Sequence, residues 1–464
     1  MLEDALQRLR VGLAGTPYEG KVYLVGGYVR DKLLKRRLPS DVDLVLEGDA
    51  LQLAQFLYER GIADHPPVTY PRFGTAMVHL GEIAVELVTA RAESYHDASR
   101  KPATVKPATL YEDALRRDFT VNTLLENLHT GAIVDPLGVG LSDLQARWLR
   151  TPRDPHETFY EDPLRMLRAV RFAVQLDFTL DPVAVQAIRE QAERLKIVSI
   201  ERIQAEFTRL MDSPPAAAGL QMLLEVGLLA QFAEPLLPMV GCTQNDYHLY
   251  DVWGHSLQTV QHIDPTGLTI PAWELRLAAL LHDVGKPATR TVDEDGAIHF
   301  YEHDRVGAEI ARAWLRTLRY SNETIERITT LVRLHMRPGF YTPQWRDAAV
   351  RRLIRDAGDL LEPLLRLVEA DIQAQRHDVI HADIAALRQR IAQVQAIQPA
   401  THWRSPLTGE QIMQRFGLNP SPLVGQLKRY LEEQVIEGTL HPDDTEHAVR
   451  LAEAYLQQKQ TSSG

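Results

Sequence analysis

The apolar residues change their period part-way along the chain, and that change limits the folds open to it. Up to about residue 145, short apolar runs are bounded by glycine and polar turns. Lys21 to Val25 reads as a strand ended by Gly26-Gly27, with a helix from Val29 to Lys35 behind it. Asp41 to Leu46 reads as a second strand, and Thr75–Leu80 with Ile83–Val88 as a hairpin across Gly81-Glu82. From Pro163 onward the spacing is helical: Leu164, Leu167, Val170 and Val174 mark one face, and Ile203, Phe207 and Leu210 another. Pro214-Pro215 and the Pro235–Pro238 region are joints between helical stretches. An α+β protein is expected: a mixed sheet with helices at the front, then helices throughout.

The 464 residues suffice for several cores, roughly three at about 150 residues each. Composition is that of a globular protein, with 45% hydrophobic and 24% charged residues. No apolar run spans a bilayer, and the first ten residues mix acids with bases, unlike a signal peptide. Cys242 is the sole cysteine, which excludes an internal disulfide and a cysteine zinc cluster. These features fit a cytoplasmic protein with no membrane partner. The formal net charge of −11 argues against bulk attraction of nucleic acid and leaves room only for local patches. Arg30 to Arg37 is one such patch, and Arg165, Arg168 and Arg171 recur in another. A solvated helix face explains any single patch equally well.

Gly26-Gly27 lies between a strand and a helix whose first turn carries Arg30. Such a turn lets backbone N–H groups and a guanidinium meet a phosphate, although Gly-Gly alone is usually just a tight turn. Asp41 and Asp43 are two apart on a strand and point to the same side. Two adjacent carboxylates repel unless a cation lies between them. Magnesium suits such a pair and completes its shell with water and substrate phosphates. Taken alone, Asp-x-Asp also ends many surface strands.

Together, Leu24-Val-Gly-Gly-Tyr-Val-Arg-Asp-Lys-Leu-Leu34 and Ser40-Asp-Val-Asp-Leu44 resemble the head of class II tRNA nucleotidyltransferases and their poly(A) polymerase relatives, within the polymerase β superfamily. The resemblance implies that Asp41 and Asp43 are catalytic and hold Mg2+, and that Gly27 and Arg30 contact the incoming triphosphate. Glu86, on a nearby strand, is a candidate third carboxylate. Arg116-Arg-Asp-Phe-Thr-Val-Asn122 matches the family's Arg-Arg-Asp motif, although by itself it reads as a charged helix start. It implies a triphosphate or sugar contact at Arg117 and ribose-side partners at Asp118 and Asn122.

Glu161-Asp-Pro-Leu-Arg165 opens the helical region. Pro163 suits the first helical position and Asp162 the N-cap, which is a complete structural explanation for Asp162. Chemistry offers another. Asp162 and Arg165 are three apart and can share a face. A carboxylate accepts from an exocyclic amine and a guanidinium donates to a ring acceptor. Cytosine and adenine present that combination, whereas uracil and guanine do not. In the family this segment serves as a protein template, which implies base reading by Asp162 and Arg165, and phosphate or helix-positioning contacts at Arg168 and Arg171. Ser199 to Phe207 resembles the helix that buttresses the template. The polar segment from Thr89 to Ala114 corresponds to a flexible loop that complete CCA-adding enzymes use to switch from C to A, or else is an ordinary surface loop.

Leu280-Leu-His-Asp-Val-Gly-Lys-Pro287 matches the signature of HD phosphohydrolases, with His255 upstream and Asp371 downstream. Neutral imidazoles with carboxylates suit a divalent transition metal. The expected ligands are His255, His282, Asp283 and Asp371, with His303 and His335 possible additions. Domains of this type in bacterial tRNA nucleotidyltransferases are associated with phosphatase and 2′,3′-cyclic phosphodiesterase activities. The tail, Leu407 to Met413 and Val435 to Leu440, is also similar to the end of such proteins. Pro152-Arg153 and Pro155 to Glu157 depart from the usual residues before the template helix.

The expected organisation is a nucleotidyltransferase head (18–148), a helical neck (149–240), an HD domain (241–380) and a helical tail (381–464). The implied reaction adds CCA to tRNA 3′ ends from CTP and ATP, with a phosphohydrolase activity besides. Rival readings are an enzyme adding only the terminal A, a poly(A) polymerase, and a chain whose principal activity is HD hydrolysis.

Overall fold

The computed structural model describes residues 2–38, 42–96, 99–244, 249–376, 378, 380–397 and 403–461, with side chains of 93–105, 460 and 461 left aside. Asp41 lies outside the described residues, so the expectation that it shares a side with Asp43 is not addressed. Two compact units form, one from residues 1–237 with 317–319, the other from 238–316 with 320–464.

The first unit begins with α1 (Leu2–Leu13), β1 (Val22–Val25), α2 (Gly27–Leu33), β2 (Val42–Leu46), α3 (Ala50–Glu59), β3 (Val68–Tyr70), β4 (Thr75–Leu80) and β5 (Ile83–Thr89). There follow β6 (Arg91–His96), β7 (Ser99–Pro107), α4 (Leu110–Leu115), β8 (Leu125–Asn127), β9 (Ile133–Val134), α5 (Gly140–Ala146) and β10 (Trp148–Leu149). The sheet runs β3-β4-β5-β2-β1-β8-β9. Only β2 and β5 pair in parallel within it, and they set Asp43 opposite Glu86. Along β2, Val42, Leu44, Val45 and Leu46 are buried and Asp43 is exposed. The expected hairpin across Gly81-Glu82 forms, with Leu80 opposite Ile83. The segment expected as a loop is instead a separate hairpin, β6 with β7, whose Arg91 lies opposite Pro107. Its polar composition hides the strands, because no apolar alternation marks them.

Helices begin sooner than Pro163. The neck holds α6 (Pro155–Glu161), α7 (Leu164–Leu176), β11 (Thr179–Leu180), α8 (Pro182–Gln191), α9 (Ile200–Asp212) and α10 (Ala216–Glu225). Leu164, Leu167, Val170, Ile203, Phe207 and Leu210 are buried as their spacing predicts; each such side chain contributes roughly 1.5–3 kcal/mol. Phe119 meets Phe172 edge-on at 5.9 Å, which packs head against neck.

The second unit comprises α11 (Val252–His262), α12 (Ala272–Leu281), α13 (Lys286–Thr289), the hairpin β12 (Arg290–Val292) and β13 (Ile298–Phe300), α14 (His303–Thr317), α15 (Asn322–Leu334) and α16 (Met336–Gly339). It continues through α17 (Asp347–Ala357), α18 (Leu361–Gln373), α19 (Ile384–Ile397), α20 (Gly409–Phe416), α21 (Pro422–Glu437) and α22 (Thr445–Thr461). Leu427, Leu431, Val435 and Ile412 anchor a core of their own among the last three helices. Among the described residues, no helix is long and apolar enough to cross a membrane.

Candidate functional site

The glycine turn is the centre of the first site. Gly26 has φ +77°, a conformation that favours glycine. A Cβ there would lie 3.9 Å from both Arg117 Nη1 and Asp43 Oδ2, and one at Gly27 would lie 3.6 Å from Arg30 Nη2. The turn therefore gathers two guanidiniums and a carboxylate around bare backbone. Glu86 joins them through its pairing with Asp43. Burial first, and then the Asp43 charge, push the Glu86 carboxyl up, with Arg91 opposing. A carboxylate pair of this kind suits a divalent cation.

Arg30 is buried and held on both sides. It donates to both oxygens of Asp31 at 2.8 and 2.9 Å and to Asn122 Oδ1 at 2.8 Å. Its guanidinium lies 4.9 Å from the Phe172 ring centroid. Asn122 Nδ2 in turn donates to Asp118 Oδ1 at 3.0 Å. Asp118 Oδ2 takes Arg168 in a two-point contact at 2.8 and 2.6 Å. Burial opposes ionisation of Asp118, but Arg168 and the Asn122 amide outweigh it and hold the carboxyl well below its usual range. Arg171 donates to Glu206 Oε2 at 2.7 Å, which ties α7 to α9. Arg168 and Arg171 thus each meet a protein carboxylate, Asp118 and Glu206 respectively.

The start of α7 follows the sequence expectation: Asp162 is extended and Pro163 is already helical. Asp162 closes α6 and at the same time caps the helix that follows, whose assigned span is Leu164–Leu176. Pro163 breaks the preceding helix as readily as it begins the next. The Asp162 carboxylate accepts the Leu164 N–H at 3.2 Å, the capping bond that fixes its orientation. Arg165 is 7% exposed. It donates to the Thr158 carbonyl at 3.3 Å and to the Arg116 carbonyl. The Arg116–Asp118 motif, by contrast, is not a helix start. It follows the end of α4, with Arg116 as the cap. Sequence reasoning left Asp113 and Glu206 unassigned, although acids three to five residues from arginines were the available signal.

The second site lies within the second unit. His255 is on α11, His282 caps α12, His303 opens α14, His335 caps α15 and Asp371 is on α18. Gly285 makes the approach possible, because a Cβ there would lie 2.1 Å from the His303 carbonyl and 2.6 Å from Gly307 N. Two groups with metal-holding geometry result: His255, His282 and Asp371, and Asp283, His303 and His335. All six expected residues therefore converge.

Three of the imidazoles are oriented by their own backbone. Nδ1 of His282, His303 and His335 lies 2.7, 2.8 and 2.6 Å from the carbonyls of Ala279, Phe300 and Val332. A carbonyl there selects the tautomer with Nδ1–H and turns the Nε2 lone pair inward. His255 and His282 then meet Nε2 to Nε2 at 3.2 Å, and His303 and His335 at 3.3 Å. Asp371 Oδ1 is 2.9 Å from His255 Nε2, and Asp283 Oδ1 is 3.3 Å from His303 Nε2. Lone pairs facing one another and carboxylates fit a bound cation. Burial, and next the His282 charge, push His335 down to about 4. Burial opposes a charge on His282, yet the Asp283 carboxylate holds its pKa up. Lys286, not assigned from sequence, donates to Asp283 Oδ2 at 2.6 Å and to Gln244. A cavity of about 580 Å³ opens onto Asp283, Lys286, His303, His335 and Asp371.

Residues 22–150 match the poly(A) polymerase head domain, 177–239 the probable RNA- and SrmB-binding site of polymerase A, and 252–383 the HD domain. The chain is 36% identical to the CC-adding tRNA nucleotidyltransferase of Thermus thermophilus over 89% of each chain. It is 37% identical to the A-adding tRNA nucleotidyltransferase of Deinococcus radiodurans, covering 70% of this chain and 75% of the other. Its fold is similar to that of the Bacillus stearothermophilus CCA-adding enzyme, with a TM-score of 0.69 and 24% identity over 99% of each chain. The chain belongs to the class II tRNA nucleotidyltransferase family, and is a member with an HD domain.

Proposed function

We propose that the head and neck complete the CCA end of tRNA from CTP and ATP, and that the HD cluster is a separate phosphohydrolase. The gathering of Asp43, Arg117 and Arg30 around the Gly26 turn carries the first reading. Asp41 and Asp43 would hold Mg2+, with Glu86 beside them. Bound there, the ions would neutralise charge on the attacking and leaving oxygens. The chain's own part is positioning. Arg117 and Arg30, with the backbone at Gly27, hold the triphosphate so that pyrophosphate leaves in line. Asp118, Arg168 and Arg171 brace the template helix. The Asp162 carboxylate accepts the exocyclic amine of cytosine or adenine, and Arg165 donates to the ring acceptor beside it.

The polar hairpin β6–β7 supports CCA addition or A addition over CC addition, because it lies where complete CCA-adding enzymes carry the loop that helps them switch from C to A. The test offers tRNAs lacking all of CCA, or only its final A, with one labelled nucleotide at a time. CTP should extend the first and ATP the second, with UTP and GTP inert. ATP use alone would favour the A-adding reading, CTP use alone a CC-adding one, and UTP incorporation would remove the base-reading pair.

For the HD cluster, supporting observations are the convergent Nε2 atoms and the cavity beside them. His255, His282, Asp283 and Asp371, with His303 and His335, would hold a divalent transition metal that lowers the pKa of water for attack on a phosphoester. Lys286 fixes Asp283 and adds positive charge where the phosphate enters.

A further inference from the structure

Asp113 lies outside the set of residues that would touch a nucleotide, yet it contacts one of them, Arg117, directly. It sits on α4, whose N-terminus is fixed by a capping box between Thr109 and Glu112. Its side chain is buried. Oδ1 accepts from Arg116 Nε at 2.9 Å and Nη2 at 2.7 Å. Oδ2 accepts from Arg117 Nε at 3.1 Å and Nη2 at 2.9 Å. One carboxylate therefore takes two guanidiniums side-on, at the three- and four-residue spacings that a helix allows.

The consequence for Arg117 is directional. Its Nε and Nη2 edge is taken by Asp113, and Nη1 is the nitrogen that lies 3.9 Å from a Cβ placed on Gly26. Arg116, the other guanidinium on Asp113, offers its carbonyl to Arg165 of the template. The Arg91 N–H, at the base of the β6–β7 hairpin, also donates to Asp113 Oδ1, at 3.3 Å. Burial works against ionisation of Asp113, but Arg117 and Arg116 keep its carboxyl below the usual range, so both contacts are charge-assisted.

We propose that Asp113 is a positioning residue for nucleotidyl transfer: it aims Arg117 at the phosphate turn and ties Arg117 and the Arg116–Arg165 contact to the base of the β6–β7 hairpin. This rests on the reading of Arg117 as a triphosphate contact. Removing the carboxylate leaves two long side chains to choose among rotamers, and a displacement of about 1 Å at a group that orients substrate can cost on the order of a hundredfold.

The test compares Asp113→Asn, Arg117→Ala and the double variant of the full chain, measuring KM and kcat for CTP and ATP, KM for tRNA, and cooperative melting. Asp113→Asn should raise the nucleotide KM about tenfold or more, with the tRNA KM unmoved. The double variant should match Arg117→Ala within about twofold, because one residue acts through the other. A purely structural Asp113 would lower the melting temperature and leave the nucleotide-to-tRNA KM ratio unchanged, which overturns the proposal. Multiplication of the two single effects does the same. An unmoved nucleotide KM in Arg117→Ala overturns the reading of Arg117, and this role for Asp113 with it. If Asp113→Asn does not fold, Asp113→Glu keeps the charge but shifts it by one methylene, and an unchanged nucleotide KM there is equally fatal.

Discussion

In the head and neck, the buried guanidiniums of Arg30, Arg165 and Arg171 and the half-buried one of Arg168 each have a carboxylate oxygen between 2.6 and 3.7 Å away. In the HD cluster, like faces like: imidazole nitrogens meet at 3.2 and 3.3 Å. The first region satisfies its buried charge from within, and holds its shape without a ligand. The second converges acceptors that only a proton or a cation can reconcile. A preformed frame suits a reaction whose demand is alignment, while an acceptor cage suits metal-assisted hydrolysis. The contrast also implies that the two sites fail for different reasons.

The largest expected effect separates them outright. Asp43→Ala should lower nucleotide addition by about a thousandfold or more and leave hydrolysis of phosphoesters intact. His282→Ala should do the reverse. Assays of labelled-CTP incorporation and of phosphate release on the same preparations decide it. Loss of both activities in either variant would break the comparison.

The next effect is on stability. Glu206 is the shared anion of Arg171, Arg168 and Arg209, at 2.7, 3.5 and 2.7 Å. Its side chain is 3% exposed. Glu206→Ala should destabilise the chain by about 3–5 kcal/mol, since it takes the carboxylate from the buried Arg171 guanidinium. Denaturant titration measures this, and a loss below about 1 kcal/mol would show the pairs to be solvent-screened. The acid limb has a definite sign. Arginines hold the carboxyls of Asp118 and Glu206 below their usual values against the effect of burial. Their contribution is full above the usual carboxylate range and is lost as pH falls through the depressed values.

How far the sequence revealed these regions follows the same contrast. The six HD residues were legible because metal chemistry restricts the side chains that can serve, and the glycine turn with Asp43 was legible for a similar reason. Asp113 was not, because its role is defined by two arginines that read more naturally as facing substrate. Asp162 and Pro163 were legible as cap and first helical residue because Asp-Pro is a common way to open a helix, but that Asp162 also closes α6 was not. The β6–β7 hairpin escaped notice because its pairing is carried by backbone, and polar side chains conceal the strand period. Lys286 stood inside a recognised motif, but only the fold brings it to Asp283.

The smallest effect is the one that sharpens the comparison most, because metal should stabilise one region and not the other. Metal needs neutral imidazoles. His335, pushed down to about 4, is already neutral in the fold. Its contribution to stability is full above the ordinary histidine pKa of about 6.5 and declines as pH falls toward that lower value. His282 has the opposite sign, since Asp283 raises its pKa against burial. Its charged form stabilises the apo cluster below the ordinary histidine pKa, and that stabilisation is lost as pH rises through the folded value. Metal must therefore displace a proton from His282 in mildly acidic solution, and meets less competition in alkali. Calorimetric melts with Mn2+ or with a chelator should show metal stabilisation of about 2.7 kcal/mol at a hundredfold excess over Kd, larger near pH 8 than near pH 5.5. His335→Ala should shrink that gain without lowering apo stability as Glu206→Ala does, because it removes an acceptor that faces another acceptor. Equal stabilisation at both pH values would mean that the imidazoles do not bind the ion, and the difference between the two regions would disappear.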